Sequence, residues 1–94
     1  MAKKYRSRTD IVSQILQAAN GSVTKTKLMY KVFLSYEQIK EYLAILIQSG
    51  LVEYIEETQT YKTTEKGLKF LKMYEQMQQE LIMTTNNNNN TRIK

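Results

Sequence analysis

The sequence has no cysteine and no histidine among its 94 residues. These two absences exclude disulfide bonds, thiolate nucleophiles, the common zinc sites and imidazole acid–base catalysis. With only three glycines, the chain also has no glycine-rich phosphate loop. Glu56 and Glu57 are neighbours on a predicted loop, and Ser35 has no base nearby in the sequence, so neither predicts a catalytic site. We therefore expect a protein that is not an enzyme and that uses no cofactor, metal ion or small-molecule substrate.

Long hydrophobic runs and proline are also missing. The longest strongly apolar run, residues 42–47, is far too short to cross a bilayer. The basic start of the chain is followed by Thr9 and Asp10 and not by an apolar stretch, which does not fit a secretory leader. The complete lack of proline fits a mostly helical chain. We expect a cytoplasmic protein that has no membrane partner.

Positive charge is in excess, and it is clustered. Fourteen Lys and Arg against nine Asp and Glu give a net charge of +5, which favours an anionic partner such as nucleic acid. The positive side chains form one group in the first eight residues and a second group in a predicted helix (Lys3, Lys4, Arg6 and Arg8; Lys25, Lys27 and Lys31).

Helical spacing of apolar residues predicts three helices, at about residues 9–19, 24–32 and 36–49. Two β-prone runs, at 51–55 and 61–63, flank a polar turn and predict a hairpin. A fourth helix is expected from about 65 to 84. Each predicted helix follows a hydroxyl residue suited to cap it: Ser7 or Thr9, then Thr24, Ser35, and Thr63 or Thr64.

This order of elements predicts a mainly α fold with a small β-hairpin, a winged helix-turn-helix followed by a long C-terminal helix. We expect a flexible basic arm at 1–8, the DNA-binding domain at 9–63, a dimerisation helix at 64–84, and a disordered tail at 85–94 that contains five consecutive asparagines. Apolar residues on the last helix step by four, three and four, which indicates a short heptad seam for a homodimer (Phe70, Tyr74, Met77 and Leu81).

The segment KTKLMYKVFLSYEQIKEYLAILIQSGLVEY, followed by YKTTEKGLKFLKMYEQM, resembles the archaeal winged helix-turn-helix family, which includes the ten-kilodalton chromatin-associated proteins of crenarchaea. The resemblance spans residues 21–77. It implies binding of double-stranded DNA, with the third helix in the major groove and the hairpin as the wing. It also implies a homodimer joined by an antiparallel coiled coil of the last helices. The sequence departs from this pattern in its wing tip, residues 56–60, which has no Lys or Arg, and in its short seam.

Candidate DNA contacts come from the arm and the two helices of the motif. On the third helix, Tyr36, Gln38, Lys40 and Glu41 form the candidate groove-facing set, because amide, ammonium and carboxylate groups can each pair with base edges. An ordinary solvated helix face explains the same pattern. The remaining candidates for phosphate contact are Arg6, Arg8, Lys25, Thr26, Lys27, Lys31 and Ser35.

The function that we predict is a dimeric double-stranded DNA-binding protein with weak or moderate sequence preference. It would act as a transcriptional regulator or as a chromatin-associated factor of the nucleoid. A winged-helix module for protein–protein interaction is the alternative, because the acidic wing, Glu37 and Glu41 oppose phosphate contact. RNA binding is a further alternative, although the sequence shows no aromatic stacking platform.

Overall fold

The computed structural model describes residues 6–93, with side chains described for 6–82. In chain order, the described part contains α1 (Arg8–Ala18), α2 (Lys25–Val32), α3 (Tyr36–Gln48), β1 (Val52–Ile55), β2 (Thr60–Thr63) and α4 (Glu65–Ile93). This is the predicted arrangement, mainly helical with one antiparallel hairpin and a long last helix. The predicted fold class is confirmed.

Hydroxyl side chains start the first three helices, as the sequence predicts. Ser7, Thr24 and Ser35 have extended backbones, and each side chain accepts a hydrogen bond from a backbone N–H in the first turn. The donor–acceptor distances are 3.0, 3.2 and 3.1 Å. These contacts satisfy N–H groups that have no partner within the helix. Because Ser7 is the cap, α1 begins at Arg8, and the predicted arm does not extend to residue 8.

The hairpin is extended by a short third segment at its base. Tyr54 pairs with Tyr61, and their rings pack with centroids 4.9 Å apart. On the other edge of β2, Val23 exchanges two backbone hydrogen bonds with Tyr61, at 2.9 and 2.7 Å. Val23 therefore ties the connection between α1 and α2 to the hairpin. This contact fixes the hairpin relative to α2.

One apolar core joins α1, α2, α3, β1 and the start of α4. Its buried residues lie on the inward faces of the helices, on β1 and in the segments that join α1 to α2 and α2 to α3 (Ile15, Leu16, Ala19, Val23, Leu28, Val32, Leu34, Ile39, Leu43, Leu46, Val52 and Leu71). Thr63 is buried among them, and its hydroxyl donates to the Leu16 carbonyl at 2.7 Å. Gly67 is also buried, because α4 passes directly over the Leu51 carbonyl and leaves no room for a Cβ atom there.

The last helix is longer than the sequence predicts. The helix was expected to end near residue 84 and to be followed by a disordered tail at 85–94, but α4 continues to Ile93 through the asparagine run. No glycine or proline follows Gly67, so no residue of the two types that most strongly end a helix interrupts it. The predicted boundary at residue 85 therefore does not coincide with the end of α4.

Candidate nucleic-acid interface

The packing of α2 and α3 decides which of their residues face outward. Leu28 and Val32 of α2 are buried, as are Ile39 and Leu43 of α3, so the opposite faces of both helices are left to solvent. The exposed candidates on these faces are Thr26, Lys27, Lys31, Ser35, Tyr36, Gln38, Lys40 and Glu41, while Lys25 is half-buried. The structure therefore leaves most of the predicted α2 and α3 residues accessible to a partner.

Two lysines from different helices meet at one aromatic ring. The Lys25 Nζ lies 4.9 Å from the centroid of the Tyr36 ring, and the Lys40 Nζ lies 5.8 Å from the same centroid. Both distances fall in the range of cation–π attraction. We call Lys25, Tyr36 and Lys40 the Tyr36 cluster. It lies at the N-terminus of α3, where the helix dipole adds further positive potential.

Gln38 is partly occupied by a structural role. Its Oε1 accepts a hydrogen bond from the Ser35 N–H at 3.0 Å, while the Ser35 hydroxyl accepts from the Gln38 N–H. This reciprocal capping box stabilises the start of α3. Pairing of Gln with adenine uses the amide oxygen and nitrogen together, and the capping contact holds the oxygen against the Ser35 backbone. The structure thus favours Gln38 as a cap over Gln38 as an adenine reader.

The two arginines of the predicted arm differ from each other. Arg6 points inward: its guanidinium donates to the Gln14 Oε1 at 2.7 Å and to the carbonyls of Val32 and Phe33 at 2.6 and 3.2 Å. Those carbonyls end α2, where a cation is favoured. The prediction that Arg6 belongs to a flexible arm is therefore corrected.

Arg8 lies on the first turn of α1 and is exposed. It lines a small cavity together with Glu41 and Tyr42 of α3, so it adds a positive charge beside α3. Lys3 and Lys4, the other basic residues of the predicted arm, lie outside the described residues.

The wing tip presents acidic and neutral side chains. Residues 56–59 form the turn, with Glu56 and Glu57 exposed. The hydroxyls of Thr58 and Thr60 lie 2.7 Å apart in a hydrogen bond across the turn. The tip thus supplies no cation for a phosphate, in agreement with its sequence.

The predicted seam on α4 is divided between two faces. Phe70 packs against the core, and the Tyr74 hydroxyl donates to Oδ1 of Asp10 on α1. Met77 and Leu81 are 57% and 62% exposed, and Met73 is exposed four residues before Met77. Tyr74 therefore packs within its own chain, because the helix turns that position toward α1. Met73 is exposed in its place, and we call Met73, Met77 and Leu81 the exposed stripe.

Sequence reasoning did not identify two exposed aromatic residues at the end of α2. Tyr30 is 73% exposed and Phe33 is 82% exposed. Phe33 also has a left-handed backbone, with φ 55° and ψ 53°, which costs a non-glycine residue about 1–3 kcal/mol. Helical spacing alone could have found Tyr30, because it lies on the side of α2 opposite Leu28 and Val32.

Other kinds of site find no support in the described residues. In residues 6–82, no group of three or more acidic side chains is arranged to hold a metal ion. No helix in the described part of the chain is both long and apolar enough to span a membrane.

Comparison with known proteins gives one clear result. No curated protein matches the sequence. A family model described as winged helix-turn-helix matches residues 5–82, which is most of the chain and includes every helix and strand up to the middle of α4. Domains of this type are typically DNA-binding and not enzymatic, which agrees with the exposed lysines of α2 and α3. On this match and on its fold, the chain belongs to the winged helix-turn-helix family.

Proposed function

We propose that this protein binds double-stranded DNA as a homodimer and acts as a transcriptional regulator or a chromatin-associated factor of the nucleoid. In this proposal α3 enters the major groove, and α2 contacts the phosphate backbone. Sequence preference is weak or moderate, because most of the available contacts are lysines that recognise phosphate and not base edges.

The observation that carries the proposal is the Tyr36 cluster. Lys25 and Lys40 belong to different helices, yet both ammonium groups lie within 6 Å of one ring centroid. Both positive charges raise the electrostatic potential around the ring, and this potential attracts an anion. A DNA phosphate at the N-terminus of α3 would contact both lysines and the positive end of the helix dipole. Thr26, Lys27 and Lys31 are exposed on α2 and extend the contact along the backbone.

Dimerisation is proposed through the exposed stripe on α4. Met73, Met77 and Leu81 recur every four residues and are all exposed in the single chain. Met77 and Leu81 are also positions of the heptad seam that the sequence predicts, and the resemblance to archaeal chromatin proteins implies an antiparallel coiled coil through this helix. A dimer would also place two DNA-binding surfaces on one particle, which increases avidity for a duplex.

A salt titration of duplex binding tests the proposal. If a dimer neutralises roughly 6–10 phosphates, the logarithm of the association constant should fall against the logarithm of salt concentration with a slope of about −5 to −9. The double variant Lys25→Ala/Lys40→Ala should flatten this slope. Lys69→Ala/Lys72→Ala removes the same charge from exposed positions of α4 and is the matched control, expected to retain the wild-type slope.

The outcomes separate the proposal from its alternative. Absence of duplex binding at about 50 mM salt, at the low end for such measurements, would overturn DNA binding and favour a protein-interaction module. An equal loss of slope in the two double variants would show that net charge, and not the Tyr36 cluster, determines binding.

A further inference from the structure

Exposed aromatic and positive side chains lie on the outward side of α2 and at its C-cap, Phe33. Tyr30 and Phe33 are among the most exposed large hydrophobic residues of the described chain, and Lys27 and Lys31 are exposed on the same helix. We call these four residues the aromatic face. At about 100° per residue, Tyr30 lies roughly opposite the buried Leu28 and Val32. Its ring therefore contributes little to the core.

The backbone at Phe33 is held in place by contacts from elsewhere in the chain. Arg6 donates to the carbonyls of Val32 and Phe33, and the Leu34 N–H donates to the Met29 carbonyl at 3.2 Å. Glycine would fit this left-handed position without strain. A phenylalanine there is unfavourable for the backbone and leaves its ring in solvent. Strained positions of this kind are found most often at functional sites.

A groove beside the aromatic face has the chemistry of a nucleotide site. It is an open groove with a volume of about 470 Å³. Tyr30 contributes an aromatic surface, Lys27 and Lys31 contribute ammonium groups, and Thr24 and Thr60 contribute hydroxyls. These are the groups that contact a base, a phosphate and a sugar, respectively.

We infer that the aromatic face binds single-stranded nucleic acid, with bases stacked on Tyr30 and Phe33 and the backbone following Lys27 and Lys31. Exposed rings beside lysines are the combination by which proteins hold single strands without reading their sequence. A two-fold pairing of this face with the same face of a second copy is unfavourable, because it would bring the lysines of both copies together. Single-strand binding goes beyond the proposed duplex binding. Its stacking platform is formed by Tyr30 and Phe33, which the sequence analysis did not identify.

The two surfaces share Lys27 and Lys31, but mutation of their different aromatic and positive side chains separates them. Duplex binding is proposed to rest on Lys25, Tyr36 and Lys40, while stacking rests on Tyr30 and Phe33. Phe33→Gly removes the ring and suits the left-handed backbone, so this variant should remain folded. Tyr30→Ala removes a ring that contributes little to the core. Tyr30→Phe and Phe33→Tyr keep both rings and are the conservative controls.

The experiment is fluorescence anisotropy of the full chain with a labelled oligothymidylate of about 12 nucleotides, a length within the usual range of single-strand sites. A duplex of equal length is measured in parallel. Loss of one stacked base corresponds to a weakening of roughly 5- to 150-fold. We expect Tyr30→Ala and Phe33→Gly each to weaken single-strand binding to this extent, while duplex affinity changes less than about twofold and the conservative controls bind as the wild type does.

Three results would overturn the inference. The first is failure of the wild type to bind the oligothymidylate. The second is equal binding by the ring-deletion variants and the conservative variants. The third is that an oligoglutamate peptide of equal charge competes as strongly as the unlabelled strand does. The last result would mean that charge alone attracts the ligand. Loss of duplex binding with retained, ring-dependent single-strand binding would instead refute the proposed function and leave this inference standing.

Discussion

Tyr74 of α4 donates a hydrogen bond to Oδ1 of Asp10. The other carboxylate oxygen of Asp10 belongs to the capping box at the start of α1. Oδ2 of Asp10 accepts from the Ser7 N–H at 3.1 Å, and Gln78 Nε2 donates to the Tyr74 hydroxyl at 2.9 Å. One carboxylate therefore joins the start of the domain to the last helix. The hydrogen bond from Tyr74 lowers the pKa of Asp10, with the Ser7 backbone N–H adding to the effect, and the same bond to Asp10 raises the pKa of Tyr74.

We predict that this contact makes stability depend on pH at the acidic end. The pKa of Asp10 is lower in the folded chain than its ordinary value of 3.8. The ionised carboxylate therefore stabilises the folded chain above that value, and this stabilisation is lost as pH falls through the folded pKa. Tyr74→Phe should reduce the loss of stability between neutral and acidic pH. Urea unfolding midpoints measured across this range provide the test. Tyr54→Phe is the matched control and should leave the profile unchanged, whereas identical profiles for wild type and Tyr74→Phe would contradict the prediction.

We predict that Gly67→Ala destabilises the protein, although alanine is the better helix former by about 1 kcal/mol. The added Cβ would overlap the Leu51 carbonyl and the Thr63 side chain, and overpacking of this kind costs about 1–3 kcal/mol. Chemical denaturation gives the free energy of unfolding. Gln76→Ala, at an exposed position of the same helix, should be neutral or slightly stabilising. A Gly67→Ala variant that is more stable than the wild type would show that α4 can move away from Leu51.

Local signals in the sequence were sufficient to predict the fold. Caps at Ser7, Thr24 and Ser35 and the helical spacing of apolar residues depend on near neighbours, and the structure agrees with them. Contacts between distant residues were not predictable in this way. Arg6 reaches the end of α2, and Tyr74 reaches α1, because of how the helices pack. The capping role of Gln38 was within reach of the sequence, since a Ser followed three residues later by Gln is a known pattern.

We predict that the exposed stripe on α4 forms a homodimer. Met77→Lys/Leu81→Lys would place two charges in the proposed interface, where each buried charge is strongly unfavourable. The variant should sediment as a monomer and unfold at lower temperature. Gln76→Lys/Gln79→Lys adds the same charge on another side of α4 and should remain a dimer. A wild-type protein that sediments as a monomer at tens of micromolar, roughly the affinity range of weak dimers, would exclude this interface.

The last prediction concerns the two carboxylates on α3. Glu37 and Glu41 are four residues apart and exposed, so both face the same side of the helix. Glu37 lies in the first turn, where it interacts favourably with the helix dipole but reduces the positive potential beside the Tyr36 cluster. Glu41 lines a cavity with Arg8, so its charge offsets the nearest cation of α1. Both effects weaken attraction to phosphate whatever the DNA sequence.

Glu37→Gln/Glu41→Gln should therefore tighten binding to all duplexes by a similar factor. If a glutamate instead accepts a hydrogen bond from a cytosine amino group, the same change would weaken the preferred site by about 1–3 kcal/mol and strengthen binding elsewhere. Selection from random duplexes, followed by affinity measurements on selected and unselected sequences, distinguishes the two cases. Arg8→Gln is the companion variant. In its presence Glu41→Gln should increase duplex affinity less, because the positive charge that Glu41 offsets in the wild type is then absent. A sharp selected motif that disappears in the double glutamine variant would contradict the backbone-dominated mode and make the protein a site-specific regulator.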